Sequence, residues 1–338
     1  MTATLFRGLM MLGKSLLALV ALTLLAVSPA AAEKPATMYK IGFLTIGASN
    51  GPVALAARQA IIDALAKHNY VVGANLSIES RFAEGKLDKL PVLAQELVGN
   101  RVDVIVAHGD LAAHAAKDGT ERIPIVAFSV GDPVETGLVA TLKRPGGNLT
   151  GVADLSQELS AKRLELLGQA VPGLKRVAML WNANDPAMTA RYRIAAEAAV
   201  KLDIQVQALG VREPDDFEAA FASMTREKPD GIMMVTDVLT NLNRKRVFEF
   251  AATHRIPAMY EHPFLVRDGG LMAYGPDAAE TANLIAELID RILKGSKPAD
   301  LPFEQPTQFT FAINLKTAKA LELAIPHGML LRADEVIE

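Results

Sequence analysis

What most restricts the fold of this chain is an alternation. Short apolar runs of strand length give way repeatedly to longer stretches with helical spacing. Ile41-Gly42-Phe43-Leu44 ends in a Gly/Ser/Asn turn, and Pro52 to His68 follows with Ala57, Ile61, Ala64 and Leu65 on one face. Pro52 sits where a helix start loses nothing from a missing N–H. The same reading predicts strands at Leu76–Ser80, Val102–Val106 and Ile123–Phe128. It predicts helices at Leu87–Val98 and Leu111–Lys117. Pro145-Gly146-Gly147-Asn148 interrupts the pattern, which then restarts. Strands are expected at Val177–Trp181, Ile204–Leu209, Gly231–Thr236, Pro257–Tyr260, Leu271–Tyr274 and Phe309–Asn314. Helices are expected at Leu159–Ala170, Ala187–Leu202, Asp216–Thr225 and Leu242–His254, and around Ala282, Ile285, Ile289 and Ile292 at 3,4,3 spacing. Such βαβα alternation predicts an α/β fold, with mostly parallel sheets covered by helices on both faces. At about 150 residues per domain, 338 residues suggest two similar α/β lobes.

Sheets of this kind bind ligands outside the carboxyl ends of their strands. Six polar turns are therefore nominated: Thr45–Gly51, His108–Asp110, Ser129–Asp132, Asn182–Asp185, Thr236–Asp237 and Tyr260–Glu261. The candidate ligand residues are Ser49, Asn50, His108, Asp110, Ser129, Asp132, Trp181, Asn182, Asp185, Thr236, Asp237, Tyr260, Glu261 and Tyr274. Asp110 is read either as a helix N-cap or as a ligand contact. Trp181 either packs at a lobe edge or stacks on ligand. Glu261 is either a solvated acid or the partner of a ligand ammonium. Asp110, Asp237 and Glu261 around one cleft would attract a cationic or amine-bearing ligand. Ser49, Asn50 and the amides after them are placed to hold an anionic end.

Gly47-Ala48-Ser49-Asn50-Gly51 matches the G-x-S-x-G nucleophile elbow and lies between a strand and a helix. A secreted hydrolase built on Ser49 would need a later acid and then a histidine, for which His262 would serve on paper. Ser49 follows the first strand of the mature chain, however, so the oxyanion loop that normally precedes the nucleophile has no place. A helix cap or a ligand contact remains for this turn. The six histidines include no H-E-x-x-H and no pair at i,i+4, so no metal site is expected. The chain has no cysteine, which excludes disulfides, thiolate metal sites and a cysteine nucleophile. No cofactor is expected.

The N-terminus reads as an export signal. Arg7 and Lys14 form a basic region, Ser15 to Val27 is apolar, and Ala30-Ala31-Ala32 is a small-residue cleavage site. Thirteen apolar residues fall short of the ~20 that span a bilayer. The expected product is a periplasmic protein that is not inserted in the membrane, and that without cysteine is no lipoprotein. Gly8 to Ser15 matches a phosphate-loop string, but no strand precedes it and the export signal surrounds it. Beyond residue 32 the chain carries 33 cations and 38 acids with no basic block, so nucleic acid is not an expected partner.

Several strings are those of one family. They include Val130-Gly131-Asp132-Pro133-Val134, Gly137-Leu138-Val139, Arg144-Pro145-Gly146-Gly147-Asn148-Leu149-Thr150-Gly151 and Leu180-Trp181-Asn182. Others are Gly269-Gly270-Leu271-Met272-Ala273-Tyr274-Gly275, Gln305-Pro306-Thr307, Ile313-Asn314-Leu315-Lys316-Thr317-Ala318 and Arg332-Ala333-Asp334-Glu335-Val336. From about Tyr39 to Glu338 the chain resembles the ABC-transporter substrate-binding proteins of the tryptophan/tyrosine-binding TrpX type. The resemblance implies a type I periplasmic-binding-protein fold: two Rossmann-like lobes, three hinge crossovers and a ligand in the cleft. It implies a non-catalytic receptor that captures a small polar, amino-acid-like or amine-bearing molecule and delivers it to a membrane permease. A sensor feeding a membrane signalling protein is the alternative. The breaks suggest a signal at 1–32, one lobe from 33–152 plus 271–306, and the other from 153–270 plus 307–338. The family commonly has Gly-Thr/Ser-Pro-Ala-Ala where this chain has Gly109-Asp110-Leu111-Ala112-Ala113. A ligand carboxylate docked on that helix end would meet a negative charge.

Overall fold

The computed structural model describes residues 38–129, 132–154 and 159–338. The export signal, its cleavage site and the phosphate-loop string lie outside the described residues, as do Val130 and Gly131.

The first sheet holds five parallel strands, β1 (Tyr39–Thr45), β2 (Leu76–Phe82), β3 (Val104–His108), β4 (Ile125–Ser129) and β5 (Leu149–Ala153), in the order β2-β1-β3-β4-β5. Helices α1 (Pro52–Lys67), α2 (Leu90–Gly99) and α3 (Asp110–Gly119) connect them. The strands read as near-continuous apolar runs because both faces are covered, as parallel sheets require. Val104, Ile105, Val106 and Ala107 are all essentially without accessible surface.

The second sheet runs β12-β11-β10-β9-β8-β6-β7. Its strands are β6 (Arg176–Asn182), β7 (Gln205–Val211), β8 (Gly231–Met234), β9 (Ala258–Tyr260), β10 (Met272–Pro276), β11 (Phe309–Asn314) and β12 (Glu335–Ile337). Among the described residues only the β10–β11 pair is antiparallel. The helices are α4 (Ser160–Ala170), α5 (Pro186–Lys201), α6 (Asp216–Arg226), α7 (Val238–Leu242), α8 (Arg244–His254), α9 (Pro263–Arg267), α10 (Ala278–Leu293), α11 (Leu315–Ala320) and α12 (His327–Leu330). The region expected as one helix from Leu242 is two: a single turn, α7, and then α8.

The chain crosses between the sheets more than once. Helix α10 leaves the second sheet and packs Ala282, Ile285, Ala286, Leu288 and Ile289 into the first lobe's core beside Phe43 and Val106. Glu304 then bridges Val152, at the edge of the first sheet, before β11 returns to the second. One expected break moves. Gly269-Gly270 read as the crossing, with residues from 271 in the first lobe. Instead Met272 pairs with both Met259 and Ile313, which places β10 in the second sheet. The chain leaves that sheet after Pro276, and the glycines make a turn, with Gly269 at φ 118°. Among the described residues no helix is long and apolar enough to cross a membrane.

Candidate functional site

The two lobes touch beyond the carboxyl ends of β2 and β8. Val238 of α7 packs against the first lobe's core, and a Cβ on Gly85 would lie 3.7 Å from Cδ1 of Leu242.

On the first lobe, β3 ends at His108. Its Nδ1 lies 3.5 Å from Oγ1 of Thr45, and its ring sits between Phe43 and Phe128 at centroid distances of 6.0 and 5.5 Å. Gly109 follows at φ 99°, a left-handed conformation that L side chains avoid, and turns the chain sharply into α3. Gly109 is itself the N-cap, so the cap role expected of Asp110 passes to its neighbour. Asp110 is the first helical residue and is buried, with its charge near the positive end of the helix dipole. Ser49 and Asn50 are exposed. The amide of Ser49 donates to Oε1 of Glu84 at 2.9 Å, so a carboxylate of the protein already occupies the loop expected to receive an anion. That bond and the Ser49 hydroxyl hold the Glu84 carboxyl below its ordinary pKa. Asp132 caps its own turn, accepting from the amide of Val134 at 2.8 Å. The side chain of Ser129, at the end of β4, lies outside the described residues.

On the second lobe, Asp185 is the N-cap of α5 and accepts from the amides of Ala187 and Met188 at 2.9 and 3.4 Å. Asp237 closes a capping box with Thr240 on α7, and its Oδ2 accepts from Nδ2 of Asn182 at 2.5 Å. Asp237 and Asp110 each lie close enough to Asp185 for their charges to act on it. Burial first, and then the two other carboxylates, push the Asp185 pKa up. Thr236, beside Asp237, has its hydroxyl buried without a hydrogen-bond partner.

Glu261 departs from the expectation that its acid meets the ligand. It is 1% exposed, with Oε1 taking Nη1 of Arg163 at 3.1 Å and Nη2 of Arg191 at 3.0 Å. Its Oε2 accepts from the amide of Thr236 at 2.7 Å. Burial alone would raise its pKa, but Arg191 and Arg163 outweigh burial and hold it below the usual value. Arg191 also lies 3.6 Å from Asp154, which follows β5 on the chain's way into the second lobe. Nε of Arg163 donates to the carbonyl of Tyr274 at 2.8 Å. Sequence reasoning missed both arginines, though a signal was present. Ala187, Arg191, Ala195 and Ala198 form one helical stripe, so Arg191 occupies a core position on α5.

Three candidates pack against aromatic side chains of their own lobe. Trp181 is 8% exposed and stacks on Tyr192 with centroids 3.7 Å apart. Its Nε1 donates to Thr189 at 3.3 Å, and its edge lies where a Cβ on Gly210 would sit at 3.0 Å. Tyr260 is fully buried against Phe248, which drives its pKa up. Tyr274 lies beside Phe309 and Phe311 in the second lobe. Among the described residues, no group of three or more His, Cys, Asp or Glu is placed to hold a metal ion.

His262, the residue before α9, lies close enough to His108 to feel its charge. Burial holds both near pKa 4, against the attraction of Glu261 at His262 and with the repulsion of Arg191 and Arg163. A depressed pKa means that the unfolded chain binds the extra protons first. Stability is therefore fully present above about pH 6.5 and is lost as pH falls towards about 4. Asp185, shifted the other way, opposes this trend. The thermal midpoint should drop over that window, and the drop should shrink in His108→Gln/His262→Gln. Parallel curves for parent and double variant would show that these rings do not carry it.

The chain matches the model of the family described as ABC transporter substrate binding protein over residues 46–337. It is 29% identical over 268 residues to a tyrosine-binding protein of Clostridioides difficile, covering 79% of this chain and 76% of that one. A solved conserved domain protein of Vibrio cholerae superposes with a TM-score of 0.83 at 26% identity, over 89% of this chain and all of that one. A streptococcal ABC domain in complex with L-Trp gives 0.81 at 26% identity, with the same coverage. A ligand-free, open substrate-binding protein of Clostridium difficile gives 0.67 at 25% identity, over 89% of this chain and 99% of that one. Identity and coverage barely differ between these last two. The lower score against the open structure accords with the contact between lobes seen at Leu242 and Val238.

Proposed function

Given that the chain belongs to the ABC transporter substrate-binding protein family, we propose that its ligand carries an amine, held as an ammonium between the lobes by Asp110, Asp185 and Asp237. The protein is a non-catalytic, extracytoplasmic solute-binding component of an uptake system, with a small molecule and a cognate permease as partners. Periplasmic residence after cleavage near Ala32, and delivery to that permease rather than to a sensor, complete the reading.

What supports it is the position of three acids just beyond strand ends, Asp110 on the first lobe and Asp185 and Asp237 on the second, with the buried Asp185 raised in pKa by burial first and then by the other two. Like charges in poorly solvated surroundings repel one another, and a cation placed near them relieves that repulsion. An ammonium entering among them is favoured most when the lobes are closed and water is excluded. The tyrosine-binding relative and the L-Trp complex involve ligands that also bear an α-ammonium. Ser49 has no part in hydrolysis in this reading: its amide is tied to Glu84, and the family is one of non-catalytic solute-binding proteins.

Mass spectrometry of small molecules released from the purified, denatured protein tests the reading. A co-purified compound with a basic nitrogen is expected. A ligand without one would refute it.

A further inference from the structure

We propose that α7 is a latch between the lobes: Val238 and Leu242, carried by the second lobe, dock on the first and bias the protein towards its closed arrangement. They are positioning residues that act through lobe closure. The inference is independent of the ligand's chemistry.

A helix of five residues cannot hold its own shape in water, because so few backbone bonds do not offset the cost of starting a helix. The second lobe holds this one. The amide of Thr240 donates to Oδ1 of Asp237 at 2.8 Å, and the amide of Asp237 donates to Oγ1 of Thr240 at 2.9 Å. The buried Thr240 hydroxyl donates to the carbonyl of Val235 at 2.9 Å, just beyond β8. Nη1 of Arg244 donates to the carbonyl of Asn241 at 2.8 Å. The apolar side chains of α7 divide between the lobes. Leu239 packs against the core of the second lobe. Val238 and Leu242 are four residues apart and so share a face. Val238 packs against the first lobe's core, in the cluster that contains Ile46 and Ala83. Leu242 passes beside the bare backbone of Gly85 and remains 55% exposed.

The first lobe presents a braced turn to this face. Glu84 and Gly85 take φ values of 55° and 75° just after β2. The amides of Ala83, Glu84 and Gly85 donate to the carbonyls of Thr45, Gly47 and Ile46 at 2.9, 3.2 and 2.8 Å. The amide of Ser49 returns a bond to Oε1 of Glu84 at 2.9 Å. That gives the Gly47–Gly51 string a role that needs no nucleophile: it stiffens the turn on which α7 docks. When the lobes part, Val238 and Leu242 lose these apolar contacts to water, so their burial favours the closed form alone. Any ligand that requires closed lobes then binds more tightly, in proportion to the closed fraction.

The chain has no cysteine, so a dye pair can be placed cleanly at Val92→Cys on α2 and Val200→Cys on α5, both exposed. Single-molecule energy transfer on the full mature protein, stripped of ligand by unfolding and refolding, then reads the ratio of closed to open molecules. Leu242→Asn should lower that ratio at least about fivefold, and Val238→Thr should lower it in the same direction. Leu242→Met, which keeps the apolar contact, should stay within about twofold of the parent. The thermal midpoint of Leu242→Asn should match the parent, since this side chain is half exposed and lies outside the second lobe's core clusters. A parent with no closed population overturns the inference. So does a ratio within twofold of the parent in both Leu242→Asn and Val238→Thr, or a loss in Leu242→Met as large as in Leu242→Asn.

Discussion

Glu261→Gln should destabilise the protein by ~3–5 kcal/mol, the range for removing one partner of a fully desolvated ion pair. The substitution preserves shape and leaves the amide of Thr236 an acceptor, so the loss isolates the charge. Two guanidiniums without accessible surface would then lose the carboxylate they share. Adding Arg163→Met to Glu261→Gln should recover part of the loss, because it restores charge balance. By contrast, cutting the exposed Arg255–Glu322 pair with Arg255→Ala should cost under ~1 kcal/mol. Denaturant titration of the three variants measures all of this. A cost below ~1 kcal/mol for Glu261→Gln would show that the cluster does not hold the lobe together.

Asp237→Asn should weaken binding of the co-purified ligand by ~2–5 kcal/mol, at least about 30-fold in Kd, with little change in stability. The separation follows from its two roles. Asparagine caps helix ends about as well as aspartate, so the capping box with Thr240 survives. What disappears is the charge, together with the acceptor of the Asn182 amide, whose loss should cost no more than ~1 kcal/mol of stability. Asp185→Asn should act in the same direction on affinity and should also stabilise the unliganded protein, because it removes a buried carboxylate that its neighbours disfavour. Calorimetric titration with parallel thermal melts resolves the two effects. Binding within threefold of the parent in both variants would rule out the ammonium role of these aspartates.

The elements were legible in the sequence because each is specified locally. The alternation from Ile41 to Phe128 gave β1 to β4 and their helices within a few residues, since fully buried strands and one-sided helices leave different periods. The ends of those strands were legible for the same reason, and with them the turns at His108–Asp110, Asn182–Asp185 and Thr236–Asp237. Gly269-Gly270 misled because a glycine pair marks a turn whether or not the chain changes lobe. Only the pairing of Met272 with Met259 and Ile313 decides that.

Charge is where sequence reasoning stopped. Asp185 and Glu261 look alike as letters: each is an acid just beyond a strand. Glu261 is neutralised by Arg163, 98 positions away, and by Arg191 on a different helix, so it serves the lobe. Asp185 feels the like charges of Asp237 and Asp110, which with burial raise its pKa. The sequence by itself determined the α/β pattern and where its strands end, because burial on both faces and helix starts are written in neighbouring residues. The tertiary structure alone decided which acids are paired with arginine inside a lobe and which lie near other acids, because electrostatic energy depends on distance and burial in space, and not on separation along the chain.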